Sequence, residues 1–300
     1  MPRLAFLFGA GASYGAGDVL PHPPPLGKDL YDELRQAFPE TWGNLSTSLA
    51  NLFEREFETG MDALWHGGQE QSQPLLEIAR FFAEFHPGSK PSCYLRLIRL
   101  LESCRLIEAC GFATLNYDCL IDLDLNSANL GYHDGERRGP YTHQKSVPLW
   151  KLHGACNVVN AFGTFRGNEF RGVGHIYEGP VKYVTPAQAI ANCDDKGIPP
   201  MLSVYAPGKP TPVGANVVES LRRRWELWVK QSDVIVVIGA RILNRDEHIY
   251  RPLKRASGQI WYVGDRNDFH IPRPFVPVGR RFDEAIDGEL KKRLMALAHR

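Results

Sequence analysis

Short apolar runs, each ending in a glycine or a polar turn, recur along this chain and are separated by helical patterns. Continuous apolar runs of this kind are typical of strands buried on both faces of a parallel sheet. The alternation therefore predicts an α/β fold: a Rossmann-like, open, mainly parallel sheet with helices on both faces. The runs occupy residues 4–8, 111–116, 148–154, 233–240 and 259–265.

Two insertions interrupt the alternation. Residues 45–110 carry apolar residues at helical spacing and predict a helical insertion. Residues 155–215 are rich in glycine and proline and predict a hairpin-rich insertion or lid. The proline-dense stretch 18–25 is expected to be an extended loop without regular structure. We expect one domain over residues 1–300.

The composition excludes several classes of function. Among 300 residues, 35 Lys and Arg balance 34 Asp and Glu for a net charge of +1, which gives no electrostatic signature of nucleic-acid or membrane binding. No run approaches the roughly 20 apolar residues of a membrane span. The six cysteines form no CxxC pair, which favours a reducing, cytoplasmic setting without a structural metal or a disulfide framework.

The first strand runs into the loop "GAGAS", residues 9–13. Its spacing departs from the GxGxxG dinucleotide fingerprint, because Tyr14 occupies the position of the third glycine. Glycines let a backbone approach an anion closely, so the loop is expected to present unpaired N–H groups to a phosphate. A tight strand-to-helix turn that binds nothing is the alternative, and Ser13 could bind phosphate or cap the next helix.

Polar residues or glycines follow the other strands, and in a parallel sheet these ends meet at one edge. Asn116 could orient a hydroxyl group or a water, whereas Asp118 could contact a ligand or cap a helix. His153 could act as a general base. Gly239 would let a ligand lie against its strand end, and Asp246 fits the start of a helix. GxSxG, GxxxxGK[ST] and HExxH motifs are absent.

In order, the motifs "GAGAS", "TLNYD", "LHG" and "VIGARILNRDEHI" resemble those of the divergent bacterial sirtuin-like NAD-consuming domains. The resemblance implies that NAD is the substrate. No metal is expected, since the cysteine spacing offers no ligand pair. The resemblance also implies that Asn116 and His153 are catalytic, with His153 as the base. The cofactor-binding residues it implies are Gly9, Ala10, Gly11 and Ser13 at the diphosphate, Thr114, Asn116 and Asp118 near the nicotinamide ribose, and Gly239, Arg241 and Asp265 toward the adenosine half.

Two departures from sirtuins qualify the resemblance. Only Cys156 and Cys193 follow the His-Gly motif, so the four-cysteine zinc module of protein deacylases is absent. Arg241 replaces the serine or threonine usual after the glycine turn, where it could meet a phosphate or close the site through a salt bridge.

We therefore expect an NAD glycohydrolase, as in bacterial antiviral defence, acting as a homo-oligomer or with an activating protein partner. An NAD-dependent deacylase or ADP-ribosyltransferase, and an NAD- or ADP-ribose-binding sensor without turnover, are the alternatives.

Overall fold

The computed structural model describes residues 1–67, 72–161, 179–195, 198–204, 211–244 and 246–299. Its strands are β1 (Leu4–Phe8), β2 (Val19–Leu20), β3 (His86–Pro87), β4 (Cys110–Thr114), β5 (Leu130–His133), β6 (Lys145–Lys151), β7 (Val158–Asn160), β8 (Val181–Tyr183), β9 (Val234–Ile238), β10 (Gln259–Val263) and β11 (Val276–Gly279). Its α-helices are α1 (Ala10–Tyr14), α2 (Leu30–Ala37), α3 (Pro39–Trp42), α4 (Thr47–Arg55), α5 (Phe57–His66), α6 (Ser72–Ala83), α7 (Cys93–Ser103), α8 (Leu120–Ser127), α9 (Pro186–Asp194), α10 (Ala215–Lys230), α11 (Glu247–Arg255), α12 (Phe282–Asp287) and α13 (Glu289–Ala298). Within these ranges no helix combines the length and apolarity needed to cross a bilayer.

The central sheet contains seven strands in the order β11-β10-β9-β1-β4-β6-β5, and every neighbouring pair is parallel. All residues of β1, β4 and β9 are buried. Because side chains alternate between the faces of a strand, this burial means that both faces of the sheet are covered. The predicted Rossmann-like α/β fold is confirmed.

Strand β1 lies at the point where the chain changes direction across the sheet. The chain leaves β1 for β4, β5 and β6 on one side and later returns to β9, β10 and β11 on the other. Ligands of open α/β sheets bind outside the carboxyl ends of the strands at such a switch point. The topology therefore places a candidate site beyond Phe8.

The region 45–110 is largely helical, as predicted, and contains α4, α5, α6 and α7. An aromatic cluster ties these helices to α2 and α3: the rings of Tyr31 and Phe53 lie 5.2 Å apart, and those of Trp42 and Phe53 lie 5.4 Å apart. The stretch 18–25 is not wholly irregular, because β2 pairs antiparallel with β3. The prolines that follow Leu20 keep this ribbon to two residues.

The region 155–215 contains the antiparallel pair β7 and β8, consistent with a hairpin, together with helix α9. This helix was missed, although Thr185 and Gln188 form a capping box at its start and Pro186 occupies its first turn. Residues 162–178, 196–197 and 205–210 of the predicted insertion lie outside the described residues.

A buried ion pair lies beneath the carboxyl end of β6. The Nζ atom of Lys151 lies 2.7 Å from Oδ2 of Asp122 on α8, and both side chains are almost completely buried. Asn157 donates to the second carboxylate oxygen, Oδ1, at 2.9 Å. The pair connects the last residue of β6 to the helix that follows β4.

We expect Lys151→Met to lower the free energy of unfolding by about 3–5 kcal/mol, because it leaves the Asp122 carboxylate buried without its cation. The matched control is Lys145→Met on the same strand, whose exposed pair with Glu108 spans 2.9 Å. Loss of that pair should cost far less, because solvent screens exposed charges. Denaturant unfolding measures both values, and equal losses would contradict the assignment.

A second buried carboxylate links α7 to α8. Asp124 on α8 accepts a hydrogen bond from the hydroxyl of Ser92, which caps α7. Burial raises the pKa of Asp124 from 3.8 to about 6. The folded state therefore holds a proton that the unfolded chain releases between these values.

The free energy of unfolding should consequently fall as pH rises through this window, by up to about 3 kcal/mol for this one group. Asp124→Asn removes the titration and should flatten that part of the pH profile, whereas Asp62→Asn, at a half-buried residue on α5, should leave it unchanged. Denaturant unfolding between pH 4 and 7 tests the difference, and parallel profiles for wild type and Asp124→Asn would refute it.

Candidate functional site

A cavity of about 1060 Å³ opens at the carboxyl edge of the sheet. It is lined by residues that follow six of the parallel strands and by parts of the segments 23–28 and 55–58. Eight residues singled out from the sequence line it: Gly9, Ala10, Gly11, Asn116, His153, Gly239, Arg241 and Asp265. Ser13, Thr114 and Asp118 do not belong to its lining.

The glycine loop after β1 packs against the turn after β9. The amide of Gly9 donates to the carbonyl of Ile238 at 3.0 Å, and that of Gly11 donates to Gly239 at 2.9 Å. A third amide, from Ala12, donates to Gly9 within the loop at 2.8 Å. The expectation that the loop presents unpaired N–H groups is therefore wrong for these three amides.

This close packing requires glycine at positions 9 and 239 and leaves little room for a side chain at position 11. A Cβ at Gly9 would lie 2.5 Å from the Cα of Ala240, and one at Gly11 would lie 3.0 Å from the Cα of Gly239. Gly239 itself has a φ of +61°, and its Cβ would lie 2.2 Å from the amide nitrogen of Ala12. Two turns that are far apart in sequence thus form one wall of the cavity.

Asn116 joins this wall to the end of β4. Its Nδ2 atom lies 3.0 Å from the Gly9 carbonyl oxygen, 2.8 Å from Ser13 Oγ and 3.4 Å from the Tyr94 hydroxyl. The Gly9 carbonyl can only accept a hydrogen bond, which fixes the amide nitrogen on that side. The side-chain carbonyl of Asn116 is therefore the group it can offer to a ligand in the cavity.

The other polar residues of these motifs support Asn116 from beneath. Ser13 is buried and its hydroxyl lies 3.0 Å from that of Tyr94. Thr114 Oγ1 accepts a hydrogen bond from the backbone N–H of Asn116 at 3.0 Å. Asp118 is 3% exposed and accepts from the Leu120 amide at 3.0 Å, at the start of α8.

Burial raises the pKa of Asp118, while hydrogen bonds from Leu120 and Ser13 oppose the rise. Asp118 therefore lies one residue before the N-cap of α8, Cys119, and binds the first amide of the helix without being its N-cap. The structure places Ser13 and Thr114 behind the cavity wall rather than in it.

His153 follows β6 in a tightly held turn. The amide of Ser203 donates to the His153 carbonyl at 2.8 Å, and Arg222 donates to the carbonyl of Leu152 at 2.9 Å. Gly154 has a φ of +73°, and a Cβ there would lie 1.8 Å from the Met201 carbonyl oxygen. Glycine after His153 is therefore needed for the turn itself.

The structure adds two residues that sequence reasoning did not assign to the site. Nε2 of His153 lies 2.8 Å from Nε2 of His248 on α11. Asp246, which was expected to start a helix, does precede α11 and also lines the cavity. Ligand atoms of His153, Asp246 and His248 all lie within 4.8 Å of one another. The spacing Asp-x-His was visible in "RDEHI", but nothing in the sequence placed it beside His153.

The far end of the cavity is rich in charge. Arg241 lies 3.5 Å from Asp268 in an exposed pair, and Arg280 lies 3.4 Å from Asp265. Asp265 also accepts from the Asn267 amide at 2.9 Å. Exposed pairs of this kind are worth about 1 kcal/mol or less, so a phosphate could displace them at small cost.

Comparison with known proteins gives matches among solved structures. The chain matches no family model and no curated protein. It is similar to a Sir2 homologue solved with NAD, at 17% identity and a TM-score of 0.41, over 99% of this chain and 89% of the other. It is also similar to a Sir2 homologue mutant in complex with 2′-O-acetyl ADP ribose, at 17% identity and a TM-score of 0.45, over 99% and 90% of the two chains.

A third match is Sir2 in complex with the inhibitor EX-527, 2′-O-acetyl-ADP-ribose and a deacetylated p53 peptide, at 14% identity and a TM-score of 0.44, over 99% and 94%. These structural neighbours are Sir2 homologue structures, and the ligands are those of the neighbours. The fold assigned to this chain is established by its own strand order and strand pairing.

We expect Gly239→Ala to lower the free energy of unfolding by more than about 1 kcal/mol, because alanine is strained at a positive φ and its Cβ would meet the α1 backbone. The matched control is Gly27→Ala, also in the cavity lining, where a Cβ would meet nothing within 4 Å. Denaturant unfolding compares the two, and a Gly239→Ala protein as stable as the control would disprove the packing argument.

Proposed function

We propose that this protein is an NAD glycohydrolase, which cleaves the bond between nicotinamide and ribose and releases nicotinamide and ADP-ribose. The observation that carries the proposal is the convergence of the β1 glycine turn, Asn116 and His153 on one cavity at the switch point of the sheet. The choice of NAD as the substrate rests on the resemblance of the motifs to those of sirtuin-like NAD-consuming domains.

The cavity suits a dinucleotide. Its volume of about 1060 Å³ lies at the upper end of the range for small-molecule sites. Gly9 and Gly11 have no side chains, so a diphosphate can approach the backbone of their turn closely. The exposed guanidinium groups of Arg241 and Arg280 would then be the cationic partners toward the adenosine end.

In the proposed reaction, the C1′–N bond breaks with its electron pair going to nicotinamide. The ribose becomes oxocarbenium-like, and a water adds to C1′ and loses a proton. The Asn116 carbonyl, held in place by the bonds of its amide nitrogen, would accept from that water or from a ribose hydroxyl. Asn116 thus positions the reacting groups.

The His153–His248 pair would take up the proton. Two Nε2 atoms 2.8 Å apart hold one hydrogen between them, so one ring donates and the other accepts. The donating ring still has a lone pair on Nδ1. The pair can therefore accept one proton, keep its hydrogen bond and carry a single positive charge.

We expect Asn116→Ala and His153→Ala each to reduce NAD turnover by about 10²–10⁴-fold, since each removes a positioned catalytic group. His66→Ala, at an exposed position on α5, serves as the control and should keep full turnover. Nicotinamide and ADP-ribose are resolved by chromatography, and unfolding curves show that each variant is folded. Wild-type turnover in His153→Ala would overturn the mechanism.

Acyl transfer is the competing outcome of the same assay. A deacylase releases nicotinamide only when acetylated peptide is added, and a transferase attaches ADP-ribose to an acceptor. Of the two cysteines after His153, Cys156 is fully buried with its Sγ 3.3 Å from that of Cys119. This arrangement gives no support to the zinc module of the deacylases.

Tight NAD binding without nicotinamide release would instead favour the third alternative, a sensor that binds NAD or ADP-ribose without turnover.

We further propose that the enzyme works in a reducing, cytoplasmic setting, since all six cysteines are free thiols. Depletion of NAD in bacterial antiviral defence is the role that the resemblance supports. That the protein acts as a homo-oligomer or with an activating partner stays a prediction. Turnover measured across a range of protein concentrations tests whether activity depends on a homo-oligomer.

A further inference from the structure

We propose that His153, Asp246 and His248 form a binding site for a divalent transition-metal ion such as Zn²⁺ or Co²⁺. The sequence predicted no metal, because its ligand spacings match no common metal motif. The proposal rests on the three-dimensional placement of these side chains and is independent of the proposed NAD cleavage.

The three residues come from the turn after β6 and from the start of α11, which the fold brings together. The Nε2 atoms of the histidines lie 2.8 Å apart, and all three ligand atoms lie within 4.8 Å of one another. Two nitrogens bound to one ion at 2.0–2.1 Å lie about 2.8–3.4 Å apart, depending on whether the ligand angle is octahedral or tetrahedral. The imidazoles therefore need to separate only slightly, and the carboxylate needs a modest side-chain rotation.

The surroundings favour a partly open site. His153 is 8% exposed, whereas Asp246 and His248 are half-buried, and His153 and Asp246 both line the cavity. Two histidines and one carboxylate leave further coordination positions for water or another ligand. This donor set is typical of a site that exchanges ligands rather than of a closed structural site.

The donor set also selects the kind of ion. Arg222 is a cation electrostatically coupled to Asp246, so the carboxylate charge is partly offset. An ion held there depends mainly on the two imidazole nitrogens. Imidazole suits Zn²⁺, Co²⁺ and Ni²⁺, whereas Mg²⁺ and Ca²⁺ prefer oxygen ligands.

Three of the buried cysteines are poor competitors for such an ion. Burial raises the pKa of Cys93 to about 11 and that of Cys193 to about 12, and it raises the pKa of Cys156 as well. The thiolate is the form that binds metal, so these thiols stay protonated and weakly ligating. Coordination by nitrogen and oxygen can therefore be separated from coordination by sulfur.

The test is titration of the purified full chain with Co²⁺ at fixed pH, followed by visible absorption and equilibrium dialysis. We expect one Co²⁺ per chain with d–d bands and without a sulfur charge-transfer band. Zn²⁺ in equal amount should displace it, and a large excess of Mg²⁺ should not. Asp246→Asn and His248→Gln should each weaken binding by at least tenfold, while His66→Ala should bind as wild type does.

No saturable Co²⁺ binding, sulfur charge transfer, or undiminished affinity in both site variants would overturn the proposal. Unfolding curves establish that the variants are folded before their affinities are compared. A second arm adds Zn²⁺ to the NAD assay. An ion bound to both Nε2 atoms uses both of their lone pairs, so the hydrogen that one of them carried moves to Nδ1 of the same ring. The pair then has no free lone pair to accept a proton, so turnover should fall and EDTA should restore it. If NAD is not cleaved under any condition, the proposed function fails while the Co²⁺ result stands by itself.

Discussion

The close approach of the β1 and β9 turns is the constraint on which the rest of the site depends. Gly9 and Gly11 donate their amides to Ile238 and Gly239, and a Cβ on any of the three glycines would meet backbone or Cβ atoms of the facing turn. Because the Gly9 carbonyl points to Asn116, the same contact also fixes the amide of that residue. The glycines of the loop thus serve mainly to let the two turns pack together, and this packing forms one wall of the cavity.

The other wall of the cavity contains titratable side chains. His153 is presented by a turn that requires glycine at position 154, and it meets His248 and Asp246 from the start of α11. Beneath this turn, Lys151 and Asp122 form a buried pair that anchors the end of β6 to α8. A buried support under the imidazole pair suits either proton transfer or metal binding, and the two uses compete for the same two rings.

Most of the fold could be predicted because its signals are local. Buried strands of a parallel sheet are continuous apolar runs, and β1, β4 and β9 were visible as such. The short ribbon of β2 and β3 was missed because its pairing joins residues 19–20 to residues 86–87, and no local pattern encodes that contact. Helix α9 was missed although its capping box was present, because the surrounding glycines and prolines outweighed it.

For the candidate site, the sequence by itself determined which residue types stand at the ends of the strands, since each follows its apolar run directly. Asn116, His153, Gly239 and Asp265 share one cavity, as parallel strands with a common edge require. Only the tertiary structure decided how each of them is used. It turned Ser13, Thr114 and Asp118 inward as supports, engaged the loop amides in packing, and brought His248 and Asp246 to His153 from 93 or more residues away. Such contacts form between segments that are far apart in sequence and meet at one edge of the sheet. The spacing of residues along the chain does not indicate which of these segments will meet.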